Sequence, residues 1–192
     1  MDLDQSIENL PRTSSVTIHK LKSLDINTYF DLLNYFPYRY ENYSIVSNIY
    51  DAQPGEIVTI KGKIVSVKNN YLRGGLKIQK AIIEDKTGII EANWFNQLFL
   101  LRLLKVGETI SISGLIKQFG QKKSIDPKEY DLGYSFIHTG RIIPVYSEKN
   151  GLSTKTIREK IILVLDRIFD NLEILPSKII SYNHLIDETT AY

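Results

Sequence analysis

The chain has 192 residues, 43% of them apolar, with 24 Lys plus Arg against 22 Asp plus Glu and no Cys. That length suits one medium domain with extensions, or two small ones, with enough apolar material for a sizeable core. The lack of Cys excludes disulfides, a thiol nucleophile and cysteine-ligated zinc, no apolar run approaches a membrane span, and the acidic residues after Met1 argue against a secretory start.

Residues 1–50 read as helical. A weak first helix holds Val16, Ile18, Leu21 and Leu24. A second follows Asn27-Thr28, where Thr28 and Asp31 have capping-box spacing, and stops before Pro37. From Pro54-Gly55 the period changes to that of strands. Ile57 to Lys68 is rich in Val and Ile, with Gly62 marking a bend or bulge. Asn69 to Gly75 forms a loop, Leu76 to Glu84 the second strand, and Asp85-Lys86-Thr87-Gly88 a turn. Gly88 to Phe95 is the third strand, and the Leu-rich run Gln97 to Lys105 a helix. Thr109 to Phe119 is the fourth strand, with Ile110, Ile112, Gly114 and Ile116 on one face. A turn at Gly120-Gln121-Lys122 leads to a short fifth strand, Ser124 to Tyr130. Arg141 to Tyr146 connects to a helix capped by Ser153 and reaching Phe169, which Leu175-Pro176 ends. A last short helix spans Ile179 to Ile186.

Three strands, a short helix and two strands is the order of an OB-fold. The expected class is α+β: a five-stranded OB-fold β-barrel over 51–131, a helical segment over 1–50, and a connector with helices over 132–192. Other five-stranded barrels share the pattern. OB-folds hold oligonucleotides or oligosaccharides on one barrel face and on the loops after strands one and four. Here those loops carry Arg73, and Lys122 with Lys123. Between Gly55 and Tyr130 there are 13 Lys plus Arg against 7 Asp plus Glu, a net +6, while the rest of the chain carries −4. A polyanionic partner for the central segment follows from that asymmetry.

The third strand carries the site expectation. Alternation sends Ile90, Ala92 and Trp94 to the core and Glu91, Asn93 and Phe95 to solvent. A Phe on a wet face is a candidate platform for stacking a nucleobase. Phe99, four residues on, could lie beside it. The same spacing also allows both rings to pack beneath the following helix. Asn96 and Gln97 could donate to a phosphate or a base edge, or cap that helix. Lys77, Lys80, Lys117, Lys122 and Lys123, with Arg73, are candidate phosphate contacts on two loops read as adjacent. Gly114 to Ser124 has the wrong spacing for a phosphate loop. His19, His138 and His184 have no ligand spacing, and Glu84-Asp85 reads as a hairpin turn. No catalytic constellation emerges.

Four stretches, in order, resemble one family. Leu32-Leu33-Asn34-Tyr35-Phe36-Pro37-Tyr38-Arg39-Tyr40-Glu41 is similar to its "LLxxFPxRYE" signature. Trp94-Phe95-Asn96-Gln97, Gly107-Glu108 before a β-rich run, and Gly140-Arg141-Ile142-Ile143-Pro144-Val145-Tyr146 followed by Gly151-Leu152-Ser153 complete the resemblance. The family is RecG, an ATP-dependent DNA helicase of bacteria that remodels stalled replication forks. The resemblance implies a wedge domain that parts the arms of a fork or Holliday junction, in DNA repair and recombination. It implies that Phe95 and Phe99 stack on unpaired bases. It implies branched DNA and the helicase motor of the same parent chain as partners, no membrane partner, a monomer, and a cytoplasmic, nucleoid-associated place. ATP and Mg belong to the motor domains, so no cofactor and no catalysis are expected of this stretch. Where family members often have Gly-Val-Gly near the start, this chain has Thr13-Ser14-Ser15-Val16. The alternative is an OB module for single-stranded nucleic acid or protein, with no junction preference.

Overall fold

Alternating Val and Ile favour a pleated strand, and the run from Ile57 forms one of 15 residues. The structure is a computed structural model that describes residues 3–71, 75, 77–166, 181, 182, 184 and 186. Its strands are β1 (Arg39–Asn42), β2 (Ile57–Tyr71), β3 (Lys77–Glu84), β4 (Ile89–Phe95), β5 (Thr109–Phe119), β6 (Lys122–Leu132) and β7 (Ile142–Val145). Its α-helices are α1 (Ser15–Lys22), α2 (Tyr29–Leu33), α3 (Leu100–Leu103) and α4 (Thr154–Leu165). Five strands close a barrel in the order β2-β3-β4-β6-β5. The fold is α+β, an OB-like barrel with helices before and after it in the chain.

The barrel interior is the inward half of each alternation. Ile60, Ile83, Ile90, Ala92, Ile112 and Ile125 are fully buried there, and Trp94 packs edge-on to Tyr130 with ring centroids 6.3 Å apart. A 15-residue strand can serve two partners only if it bends. β2 pairs with β5 up to Lys63 and with β3 from Lys63 onward, with a bulge between Ile64 and Ser66. Gly62 sits at that change of partner, where a Cβ would stand 2.5 Å from the Glu84 carbonyl oxygen. Gly114 has a similar role in β5: a Cβ there would lie 2.2 Å from the Asp126 carbonyl, beside the bulge that accommodates Pro127.

Several elements differ from the sequence expectation. β5 buries Ser111 and Ser113 as well as its Ile face. The chain after β6 folds over that side: Thr139 Oγ1 donates to Asp131 Oδ2 (2.8 Å) and lies 2.7 Å from Ser111 Oγ, and the Thr59 and Ser113 hydroxyls are 2.7 Å apart. Buried hydroxyls with partners carry little penalty, so polar residues survive on a covered face. α3 is four residues, not the nine of Gln97 to Lys105. Its N-cap is Phe99, which has no acceptor to offer, and the Gln97 N–H goes to Gln79 Oε1 (2.7 Å). β6 and β2 run longer than expected, and β1, inside the 1–50 segment expected to be helical, pairs with β7, inside the expected connector, as a two-stranded ribbon.

Compact packing divides the chain into Tyr40–Ile143 and a unit made of Met1–Arg39 with Pro144–Tyr192. Segments on either side of the strands belong to the barrel unit because they are tied to it. The Thr59 N–H donates to the Ile45 carbonyl (2.7 Å), the Ile49 N–H to Asp85 Oδ2 (2.8 Å), and the His138 N–H to Asp131 Oδ2 (2.9 Å). In the other unit the capping box forms as read: the Asp31 N–H donates to Thr28 Oγ1 (3.1 Å) and the Thr28 N–H to Asp31 Oδ2 (2.9 Å). Ser153 caps α4 through the Thr156 N–H (3.2 Å). Helices from both ends of the chain share one core there, with Leu21, Tyr29 and Leu32 buried alongside Ile157 and Val164. The expected end of the last long helix at Phe169, the Leu175-Pro176 break and half of the Ile179–Ile186 helix lie outside the described residues.

Candidate nucleic-acid interface

Strand register defines the outer face of the barrel. Ile78 lies opposite Phe95, Lys80 opposite Asn93, Ile82 opposite Glu91 and Glu84 opposite Ile89. On β2, Asn70, Lys68 and Ser66 extend these rows. On the other side, Ser124 of β6 neighbours Glu91, and Lys117 and Phe119 of β5 face Ser124 and Lys122. Phe95 therefore stands at one end of the face and the β5–β6 hairpin at the other. Six residue steps along β4 separate the two ends, about 20 Å at 3.3 Å per residue. β2 ends at Tyr71 and β3 starts at Lys77, both at the Phe95 end. The two basic loops thus flank the face at opposite ends and are not adjacent, because β4 and β6 run parallel.

Alternation sorts β4 as the sequence reads it: Ile90, Ala92 and Trp94 are buried, and Phe95 is 45% exposed. Phe99 is 53% exposed at the start of α3. Neither ring is sealed beneath a helix. Asn96 turns the chain between them with φ +57°, a left-handed conformation that Asn tolerates better than most residues. Its N–H donates to the Lys77 carbonyl (2.8 Å), and its Oδ1 accepts from the Lys77 N–H (3.1 Å). Its acceptor thus closes the β3–β4 pair and caps no helix. Gln97 is half-buried, its backbone held by Gln79.

The lysines divide by commitment. Lys80 Nζ is 2.7 Å from Glu91 Oε1, and Lys117 pairs with Asp126. Lys123 Nζ donates to the Tyr50 and Ala52 carbonyls, both at 2.8 Å, so it clamps the segment before β2. Lys77 is half-buried at the Phe95 end, and Lys122 is exposed on the hairpin with no ion pair among the described residues. Arg73 lies outside the described residues.

Two exposed aromatics were missed in the sequence. Tyr71 ends β2 at 71% exposure, and Phe119 ends β5 at 92%. The signal for Phe119 was its odd-numbered parity with Lys117, opposite to Ile112 and Ile116. A groove of about 630 Å³ lies beside it, bordered by Ile82, Ile89, the Lys80–Glu91 pair and Lys122.

The Glu84-Asp85 pair is a turn, as read. Burial pushes the Asp85 carboxyl up, but hydrogen bonds from Thr87 Oγ1 and from the N–H groups of Ile49, Thr87 and Gly88 outweigh it and hold the group below its ordinary range. Among the described residues no cluster of His, Asp or Glu could hold a metal ion, and no helix is long and apolar enough to cross a membrane.

A profile of the RecG wedge domain matches residues 14–167. The ATP-dependent DNA helicase RecG of Thermotoga maritima is 31% identical over 202 residues, covering 100% of this chain and 25% of that protein. RecG of Bacillus subtilis is 31% identical over 177 residues, covering 91% of this chain and 25% of its own length. The chain therefore spans about a quarter of the curated relatives it matches. A solved structure of RecG bound to a three-way DNA junction superposes with a TM-score of 0.73 at 28% identity, over 97% of this chain and 26% of that one. The barrel, its exposed β4 ring and these likenesses lead to one assignment: the chain belongs to the RecG wedge domain family.

Proposed function

We propose that this chain is the branched-DNA-binding wedge of an ATP-dependent DNA helicase acting in repair and recombination. A motor elsewhere in the parent protein draws duplex toward the barrel, ATP and Mg serve that motor, and this module supplies an obstacle and binding free energy. Phe95 replaces the stacking that the last base pair loses as it frays. The likeness to RecG bound to a three-way junction supports a branched substrate. The observation that carries the reading is the Phe95 ring, held open to solvent on a strand whose preceding residue, Trp94, is locked in the core. Phe99 adds a second exposed ring nearby in sequence.

The test is a titration of labelled fork, linear duplex and single-stranded DNA. Base–aromatic stacking of about 1–3 kcal/mol predicts that Phe95→Ala weakens fork binding about 5- to 150-fold. Linear duplex binding changes less, because it offers no unpaired base. Equal loss on both substrates, or equal wild-type affinity for all three, would replace this reading with a general nucleic-acid or protein-binding OB module.

A further inference from the structure

Phe119 is the most exposed large apolar side chain among the described residues, at 92%. It ends β5 beside the hairpin turn at Gly120, whose φ of +59° lets the chain reverse. Exposing a phenyl ring has a cost, and nothing in the hairpin's own packing offsets it. Directly across the hairpin lies Lys122, exposed and without an ion pair among the described residues. A ring with a cation beside it is the pairing that a nucleotide needs, a face for the base and a charge for the phosphate.

The adjoining groove suits a strand and not merely one base. Its floor is apolar, from Ile82 and Ile89, and its carboxylate, Glu91, is paired with Lys80 at 2.7 Å. An unpaired carboxylate there would repel phosphate, and the ion pair cancels that field. The groove continues past Ser66, Lys68 and Asn70 of β2, and two carboxylates stand on the face between the two rings, Glu91 paired with Lys80 and Glu84 exposed opposite Ile89 at the hairpin end. Phe95 lies on this same face, about 20 Å away along β4. At roughly 3.4 Å per stacked nucleotide that is a span of about six nucleotides, within the roughly 4–16 nucleotides that one OB-fold covers.

We infer that Phe119 and Lys122 form a second station for unpaired DNA, and that one parted strand runs along the outer face from Phe95 to the β5–β6 hairpin. This inference rests on the branched-DNA reading for the strand's origin, while the station itself is a claim about single-stranded DNA.

The experiment uses forks with single-stranded arms of about two and about twelve nucleotides, and oligothymidylate of about twelve. Phe119→Ala is expected to weaken the long-arm fork and the oligothymidylate about five-fold or more, and to leave the short-arm fork unchanged. Phe119→Trp is expected to retain binding, because it keeps a face to stack on. Phe95→Ala weakens short and long arms alike. The Phe119 ring packs on little, so circular dichroism and melting temperature are expected to stay at wild-type values, which separates lost binding from lost fold. Wild-type affinity of Phe119→Ala for the long arm and the oligothymidylate overturns the station and leaves the wedge reading standing. A Phe119 effect on oligothymidylate without any fork preference sustains the station and overturns the wedge reading. Absence of binding to every oligonucleotide overturns both.

Discussion

The Lys123 side chain, a candidate phosphate contact by sequence, is committed to backbone carbonyls in the structure. Its ammonium donates to two backbone carbonyls, of Tyr50 and Ala52, at 2.8 Å each. Lys123→Ala removes both bonds. Each is worth about 0.5–1.5 kcal/mol net. Tyr50 is well exposed, so water can replace the lysine at its carbonyl, and the lower half of that range applies there. The sum is about 1–2.5 kcal/mol, which for a chain of this size lowers the melting temperature by roughly 2–10 °C. Thermal unfolding followed by circular dichroism measures it. The complementary measurement is the slope of log affinity against log salt for fork DNA. Lys122→Ala should reduce that slope by about one contact, while Lys123→Ala should leave it unchanged. An unaltered melting temperature together with a shallower slope for Lys123→Ala would refute the reasoning, since the ammonium would then be serving phosphate and not the carbonyls.

Gly114→Ala is expected to cost about 1–3 kcal/mol in chemical denaturation, because its Cβ would sit 2.2 Å from backbone and not from a side chain that could turn away; wild-type stability would mean that the β5–β6 bulge yields. Asp85 sets an acid limit. Its folded carboxyl titrates below the ordinary 3.8, so the stability it lends is complete at neutral pH and is lost as pH falls below that value. Asp85→Asn is expected to start less stable at pH 7 and to lose less between neutral and strongly acidic pH; parallel acid profiles for the two proteins would count against the assignment.

The barrel was legible because most of its strands bury one face, and a two-residue period leaves its mark in β4, where Trp94 and Phe95 sort to opposite sides. The helix caps were legible because Thr28, Asp31 and Ser153 act within four residues of themselves. What escaped depends on distant partners. Nothing near Ser111 and Ser113 announces that Thr139, more than twenty residues on, will cover them. Lys80, Lys117 and Lys123 look alike in the sequence, and only the strand register shows which of them meets Glu91, Asp126 or a carbonyl. The separation of the two basic loops was illegible for the same reason, since it follows from the parallel β4–β6 pairing. α3 was over-read because Leu-rich runs favour helix by propensity, while its start is decided by Gln79 on another strand.

The exposure of Phe95 needs a physical guarantee, because a free phenyl ring gains by burial. A slip of β4 by one residue would turn Phe95 inward and Trp94 outward. Burying the phenyl ring is worth about 2–3 kcal/mol, and exposing Trp94 forfeits at least as much. The same slip would carry Glu91 and Asn93 into the barrel. Burying an ionised carboxylate cut off from Lys80 costs several kcal/mol, while Asn93 Oδ1, already buried without a partner among the described residues, adds little. The register that leaves the ring open is therefore the stable one by a wide margin. The polar residues between Phe95 and the hairpin end of β4 therefore hold the strand in its register. They keep the Phe95 ring facing outward, so Glu91→Leu with Asn93→Leu is expected to weaken binding in the fork titration, and wild-type affinity would count against this account of the register.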